Sequence, residues 1–213
     1  MQAFVAVGVA GAGAVGLSGF DPLGGARYRD VARSNASNTG APPRLRTSLR
    51  VALRGRTLCV RFDGKDAGVV ATNRQHDGNL WEEDVYEVFL APVDPPHLYF
   101  EFEVNPLGTL FDARVDSPGL VRSGMNVDTS WDPAGLTATV RRRPGRWSAV
   151  LAIRLEEIAS PIPERWRANF YRVDRGAPSG DPDEFSAWSP ILKTPADFHE
   201  ASRFGVLRLE IEN

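Results

Sequence analysis

From residue 46 onward, apolar and polar residues alternate along the chain with a period of two. Leu49, Val51 and Leu53 alternate with more polar neighbours, and Leu58, Val60 and Phe62 repeat the rhythm. The same signature recurs over residues 84–91, 98–105, 108–114, 136–142, 146–153, 167–173 and 204–211. A period of two puts alternate side chains on opposite faces of a strand. Turn-forming pairs punctuate these segments, among them Asp63-Gly64, Asp77-Gly78, Pro144-Gly145 and Ser179-Gly180, with Asp94-Pro95-Pro96 between two of the strands. Many short strands at this spacing predict an antiparallel sandwich. The one helical candidate is a short turn over residues 155–159, closed by Pro161 and Pro163. The expected fold is all-β: an antiparallel β-sandwich of jelly-roll or immunoglobulin-like type. It forms a single domain over residues 41–213, preceded by a partly irregular extension over residues 1–40.

Residues 3–20 carry no charge and are rich in Gly, Ala and Val. No basic segment precedes them, as a signal peptide requires, and their glycines argue against a membrane span. Gly11-Ala12-Gly13-Ala14-Val15-Gly16 matches the GxGxxG spacing of dinucleotide-binding loops and follows the β-like run Phe4-Val5-Ala6-Val7. That motif needs a helix behind it to present its N-terminus to a pyrophosphate. The chain continues instead Leu17-Ser18-Gly19-Phe20-Asp21-Pro22, so the match lacks its context.

Composition narrows the function classes. The 213 residues suffice for one substantial core. A formal charge of −2 lacks the basic footprint of a nucleic-acid binder. A single cysteine, Cys59, excludes internal disulfides and cysteine-rich metal sites, and its apolar strand marks it as core. Glycine (20) and proline (16) make up about 17% of the chain, an excess that suits turns rather than disorder. Only Lys65 and Lys193 are lysines, which points to a GC-rich bacterial genome and makes most cations planar guanidinium donors.

Two strands depart from simple inside-outside alternation. In residues 84–91, one face carries Tyr86, Val88 and Leu90, and the other carries Val85, Glu87 and Phe89. Glu87 is thus a lone carboxylate in an apolar row, where it needs a partner or a ligand. In the next strand Phe100, Phe102 and Val104 face the core, which leaves Tyr99, Glu101, Glu103 and Asn105 on the opposite face. Such a ladder suits either solvent or sugar hydroxyls, which call for short acceptors and donors. Trp81 precedes the Glu87 strand and Trp188 lies in a turn-rich segment. Both are placed to offer an indole to the apolar face of a pyranose. Trp131, Trp147 and Trp166 flank or begin strands and are assigned to packing.

Leu80-Trp81-Glu82-Glu83-Asp84-Val85-Tyr86-Glu87-Val88-Phe89, followed by Tyr99-Phe100-Glu101-Phe102-Glu103-Val104-Asn105-Pro106-Leu107-Gly108-Thr109, resembles family 9 carbohydrate-binding modules. Gly145-Arg146-Trp147, Trp166 to Arg172, Ala187-Trp188-Ser189-Pro190 and Arg203-Phe204-Gly205-Val206-Leu207 extend the resemblance over roughly residues 47–209. It implies a DOMON-like β-sandwich and a non-catalytic domain that binds a mono-, di- or oligosaccharide in carbohydrate catabolism. It further implies a sugar held between Trp81 and Trp188, with Glu87 and Asn105 bonding its hydroxyls. Glu103 stands where the family carries an arginine, and Arg172 or Arg175 is the substitute cation. The resemblance gives an extracellular location, without a signal peptide in this chain. Structural calcium is compatible with it, through Asp63, Asp66, Asp77 or Asp112, yet no calcium-loop spacing is present and no metal or other cofactor is expected. Neither nucleic acid nor membrane is expected as a partner.

Two other functions compete. A glycoside hydrolase would draw on the cluster Glu82, Glu83, Asp84 and Glu87, but hydrolysis needs two carboxyls opposed across a bond, and alternation separates these. A haem-binding DOMON-like domain would need Met125 and one of His76, His97 or His199 as ligands; a Soret band distinguishes it. No Ser-His-Asp arrangement with a nucleophile elbow is present.

Overall fold

The computed structural model describes the backbone of residues 4–8, 29–33, 35–36, 39–176 and 180–210, and side chains from residue 39 onward within these. The Gly11 to Gly16 motif lies outside the described residues. The described residues form fourteen strands: β1 (Phe4–Gly8), β2 (Arg29–Arg33), β3 (Asn35–Ala36), β4 (Thr47–Arg54), β5 (Thr57–Lys65), β6 (Val85–Ala91), β7 (Leu98–Val104), β8 (Leu110–Asp116), β9 (Asn126–Asp128), β10 (Thr137–Arg143), β11 (Arg146–Arg154), β12 (Arg165–Asp174), β13 (Glu184–Ala187) and β14 (Gly205–Glu210). The helical candidate is a single 3₁₀ turn, Leu155–Glu157.

The strands make two sheets, of orders β1-β14-β12-β6-β7-β8-β9 and β10-β11-β5-β4-β2. β13 adds to the first sheet beside β12 and pairs in turn with β3. Among the described residues all strand pairings are antiparallel except that of β1 with β14. The antiparallel sandwich expected from the alternation is therefore present. Within the segment expected to be partly irregular, β1, β2 and β3 join sheet edges. Edge pairing runs through the backbone, so it leaves a weaker sequence signal than burial does.

The inner faces of the two sheets meet in one core. Tyr86 stacks between Phe62 of the opposing sheet, with ring centroids 4.6 Å apart, and Trp147, at 3.7 Å. Trp147 and Trp166 are wholly buried, and Trp131 packs on Phe100, so all three are packing residues as expected. Cys59 is buried, as expected.

The larger sheet has a second apolar layer on its outer face. Val85, Phe89, Tyr99, Ala113 and Tyr171 lie there, covered by residues 191–204. That segment is pinned to the sheet by hydrogen bonds: Tyr171 Oη donates to the Phe198 carbonyl at 3.0 Å, and Tyr99 Oη meets His199 Nδ1 at 2.6 Å. Ala201 N–H donates to the Leu120 carbonyl, joining this cover to the loop after β8. The cover spans only part of the outer face. Beside it the sheet is open, and the candidate site occupies that place.

Candidate functional site

The register of β6 and β7 decides what faces the opening. Glu87 is paired directly with Glu103, and Glu101 lies two residues from Glu103 on the same face. All three carboxylates therefore point away from the inter-sheet core, as the alternation requires. They form the floor of a cavity of about 430 Å³, within the ~300–1,000 Å³ typical of small-molecule sites. Trp81, 40% exposed, stands at its wall with its ring edge-on to Phe111 at 5.4 Å. Phe185 of β13 also lines it, and the Arg175 guanidinium lies 5.5 Å from the centre of the Phe185 ring. Arg175 donates to the Trp81 carbonyl at 2.5 Å and to Asp183 at 2.6 Å. The two aromatic walls are thereby linked by one cation.

The electrostatics of the floor are unusual. Glu87 is 2% exposed, Glu101 5% and Glu103 0%. Burial raises the pKa of each well above the ordinary carboxylate range; Glu101 adds to the rise at Glu87, and Glu87 and Glu101 add to that at Glu103. Neither oxygen of Glu103 receives a hydrogen bond from an N–H or hydroxyl group among the described residues. Glu101 and Glu103 are close enough to share a proton. The cavity's two arginines are engaged elsewhere, Arg122 with Asp197 at 3.1 Å and Arg175 as above. His199, at the cavity margin, is held neutral by burial, its pKa lowered to about 4. A carboxyl that carries a proton can donate as well as accept. The floor thus presents both halves of what a hydroxyl needs.

Of the six binding residues expected from the sequence, Trp81, Glu87 and Glu103 meet in this cavity. Three others lie elsewhere. Trp188 is 3% exposed in the inter-sheet core, its ring 5.3 Å from Phe170. Its place follows from parity: Ala187 pairs with Tyr171 on the outer face, and the next residue turns inward. Arg172 is on the inner face of β12, bonded to Asp174, to Asp66 at 3.3 Å and to Thr47 at 3.1 Å. Arg175, three residues on, is the cavity cation. Asn105 shapes the turn after β7: its amide donates to the Asn73 carbonyl at 2.7 Å and its Oδ1 accepts from Leu107 and Thr109 N–H. Those bonds occupy the groups it would offer a sugar.

Residues missed as site members include Glu101 and Phe185. Glu101 was legible as the same-face neighbour of Glu103. Phe185 carried only a parity signal, two residues before Ala187. The aspartates proposed for structural calcium do not converge on one point. Asp63 is bonded to Arg61 and Asp66 to Arg172, while Asp77 and Asp112 flank His76 at 3.0 and 3.6 Å. As for glycoside hydrolysis, Glu87, Glu101 and Glu103 have oxygens within 4.8 Å of one another on a single floor. They do not flank a bond from opposite sides. Met125 and His199 both line the cavity, but His199 Nδ1 is already bonded to Tyr99.

The profile of carbohydrate-binding family 9 matches residues 26–209. An extracellular protein of the fungus Arthroderma benhamiae is 26% identical over 170 residues, covering 74% of this chain and 76% of its own. Among solved structures, a candidate carbohydrate-binding protein from Bacteroides uniformis aligns with a TM-score of 0.66 at 21% identity, over 87% of each chain. A family 9 carbohydrate-binding module from Caldicellulosiruptor kristjanssonii, solved with glucose and with cellotriose, aligns with a TM-score of 0.62 at 12% identity. That alignment covers 98% of this chain and 96% of the glucose-bound one.

Proposed function

The chain belongs to carbohydrate-binding family 9, and on that premise we propose that its outer-face cavity binds one unit of a mono-, di- or oligosaccharide without catalysing a reaction. The observation that carries this reading is the pairing of a half-exposed indole, Trp81, with a floor of three acidic side chains in one concavity. The apolar C–H face of a pyranose packs on Trp81 and Phe185. Its hydroxyls bond Glu87, Glu101 and Glu103, while Arg175 fixes the separation of the two aromatic walls. Phe185 takes the role that the sequence assigned to Trp188. The glucose and cellotriose bound by the Caldicellulosiruptor module support glucose-configured ligands as the first to test. A place in carbohydrate catabolism follows as the setting in which such binding is useful.

The test is calorimetry on the purified chain with glucose, cellobiose and cellotriose, in calcium-containing buffer, for the wild type, Trp81→Ala and Phe185→Ala. We expect binding by the wild type and at least tenfold loss in each variant, since sugar-aromatic packing removes ~100 Å² of apolar surface from water at ~25 cal/mol/Å². Unchanged affinity in Trp81→Ala overturns the assignment of the cavity. Release of reducing sugar from these oligosaccharides overturns the non-catalytic reading.

A further inference from the structure

Two clusters of three buried acids occur among the described residues, and they are treated differently. In the first, Asp66, Asp84 and Asp174 surround a cation supplied by the protein itself, for Arg172 bonds both Asp66 and Asp174. Asp84 also accepts from the N–H groups of Val70 and Arg175, both at 2.7 Å. In the second, Glu87, Glu101 and Glu103 have no such compensation. Their nearest cations are spent on Asp197 and Asp183, and Glu103, wholly buried on the cavity floor, has two oxygens that receive no hydrogen bond from an N–H or hydroxyl group among the described residues. A buried carboxylate left in this state is disfavoured unless a proton or a cation completes it.

The geometry says what would complete it. One oxygen from each glutamate lies within 4.8 Å of the others, a span that an ion with ~2.3–2.6 Å bonds to oxygen can bridge. The donors are all carboxylate oxygens, which select a hard cation over zinc or copper. They come from two neighbouring strands in irregular array, which suits calcium's flexible coordination better than the strict octahedron of magnesium. Three carboxylates supply three to six oxygens of the ~6–8 that calcium takes. The remaining positions face the cavity, between the aromatic walls.

We propose that Glu87, Glu101 and Glu103 form a calcium site on the cavity floor, and that hydroxyls of the bound sugar complete the ion's coordination. The ion half of this proposal rests on the three glutamates alone; the hydroxyl half rests on the carbohydrate reading above. The negative floor then acts as the seat of the ion, and the ion presents a positive charge to the sugar where an arginine would otherwise do so. An ammonium group, as on an amino sugar, is the competing occupant. It carries a single charge against three carboxylates and so compensates the cluster less completely.

The experiment uses the full chain freed of metal with EDTA. Titration with calcium chloride is followed by calorimetry and by melting temperature, with magnesium chloride as comparison. Saccharide titrations are then run in calcium and in EDTA. We expect one calcium site that raises the melting temperature, at least a hundredfold loss of calcium affinity in Glu103→Gln and Glu101→Gln, and at least tenfold weaker sugar binding in EDTA. Metal-free Glu103→Gln should melt no lower than the metal-free wild type, which separates loss of the ion from failure to fold. Absence of any calcium effect on the wild type overturns the proposal, as does calcium binding that survives both substitutions. Sugar binding of equal strength in EDTA removes the hydroxyl half, and preferential binding of glucosamine in EDTA transfers the site to an ammonium group. Calcium binding without binding of any tested saccharide supports the ion site and sinks the carbohydrate reading alone.

Discussion

Replacing Trp188 separates a core residue from a ligand platform. Its side chain is 3% exposed, lies 5.3 Å from the Phe170 ring and borders only a small internal void shared with Thr47, Leu49 and Phe62. An aromatic side chain of this kind buries ~150–250 Å², equivalent to ~4–6 kcal/mol at ~25 cal/mol/Å². Trp188→Ala keeps the first carbon and leaves a cavity that relaxes only in part, so a loss of about 3–5 kcal/mol is expected. For a chain of this size that is a fall of about 6–20 °C in melting temperature. Trp188→Phe keeps the contact with Phe170 and should cost about 1–2 kcal/mol. Urea denaturation followed by tryptophan fluorescence and far-ultraviolet circular dichroism gives the stability. Calorimetry with cellobiose on the folded protein gives the affinity, which should change less than twofold in Trp188→Phe. A stability change under about 0.5 kcal/mol together with tenfold weaker binding would refute the reasoning and return Trp188 to the site.

Other consequences follow from the same packing. A methyl group added at Gly64 would stand 2.2 Å from Tyr86 Oη and 2.8 Å from an Arg172 nitrogen. Because stacking fixes Tyr86 on both faces, Gly64→Ala should lower the urea midpoint by the equivalent of about 2–3 kcal/mol, and a neutral result would show that β5 can shift. Arg172→Met strands Asp66 and Asp174 without their cation and should cost about 3–5 kcal/mol at pH 8, less at pH 5.5, where Asp174, raised to about 6 chiefly by burial, takes a proton; equal loss at both pH values would contradict this. For the metal-free wild type, burial raises Asp84 and Asp112 to about 7, so the folded state binds more protons than the unfolded state from above pH 7 down to pH ~4. Stability should therefore rise between pH 8 and pH 6 by about 1 kcal/mol for each of these groups; below pH ~6.5 His199, neutral in the fold, opposes the gain. A melting temperature that falls steadily from pH 8 to pH 6 would show that these carboxyls are not protonated in the fold.

What the sequence reveals about this fold is set by burial. Strands β4 to β8, β10 to β12 and β14 each put apolar residues on one or both faces, and period-two alternation finds them. β9 has three residues, none buried, and β13 has four, so neither sustains a rhythm. The site was legible where it obeys the same parity. Glu87 and Glu103 stood out as charges on half-buried strands, and the structure puts them opposite one another. Trp188 was expected at the site for its turn-rich segment; the parity that carries it inward is hidden in the sequence, because β13 has only four residues to establish a phase. Arg172 was named as a substitute for the family's arginine, but it lies on the inner face beside Asp66 and Asp174, a partnership between segments distant in sequence that no local pattern reveals.

The buried acids tie stability to binding. A sandwich of this size has a full core between its sheets, and the outer face of the larger sheet could be covered as completely as residues 191–204 cover part of it. Leaving the rest open exposes Trp81, and lining its floor with Glu87, Glu101 and Glu103 gathers three acids in a desolvated place where ionised forms repel one another. The first acid cluster shows that this sequence can neutralise buried carboxylates internally, with Arg172. The second is left to be completed from outside, so whatever completes it should stabilise the fold by mass action. Stability gained on replacing Glu103 by an uncharged isostere and binding lost by the same change are therefore expected together, the pattern of a residue retained for its ligand rather than for the fold.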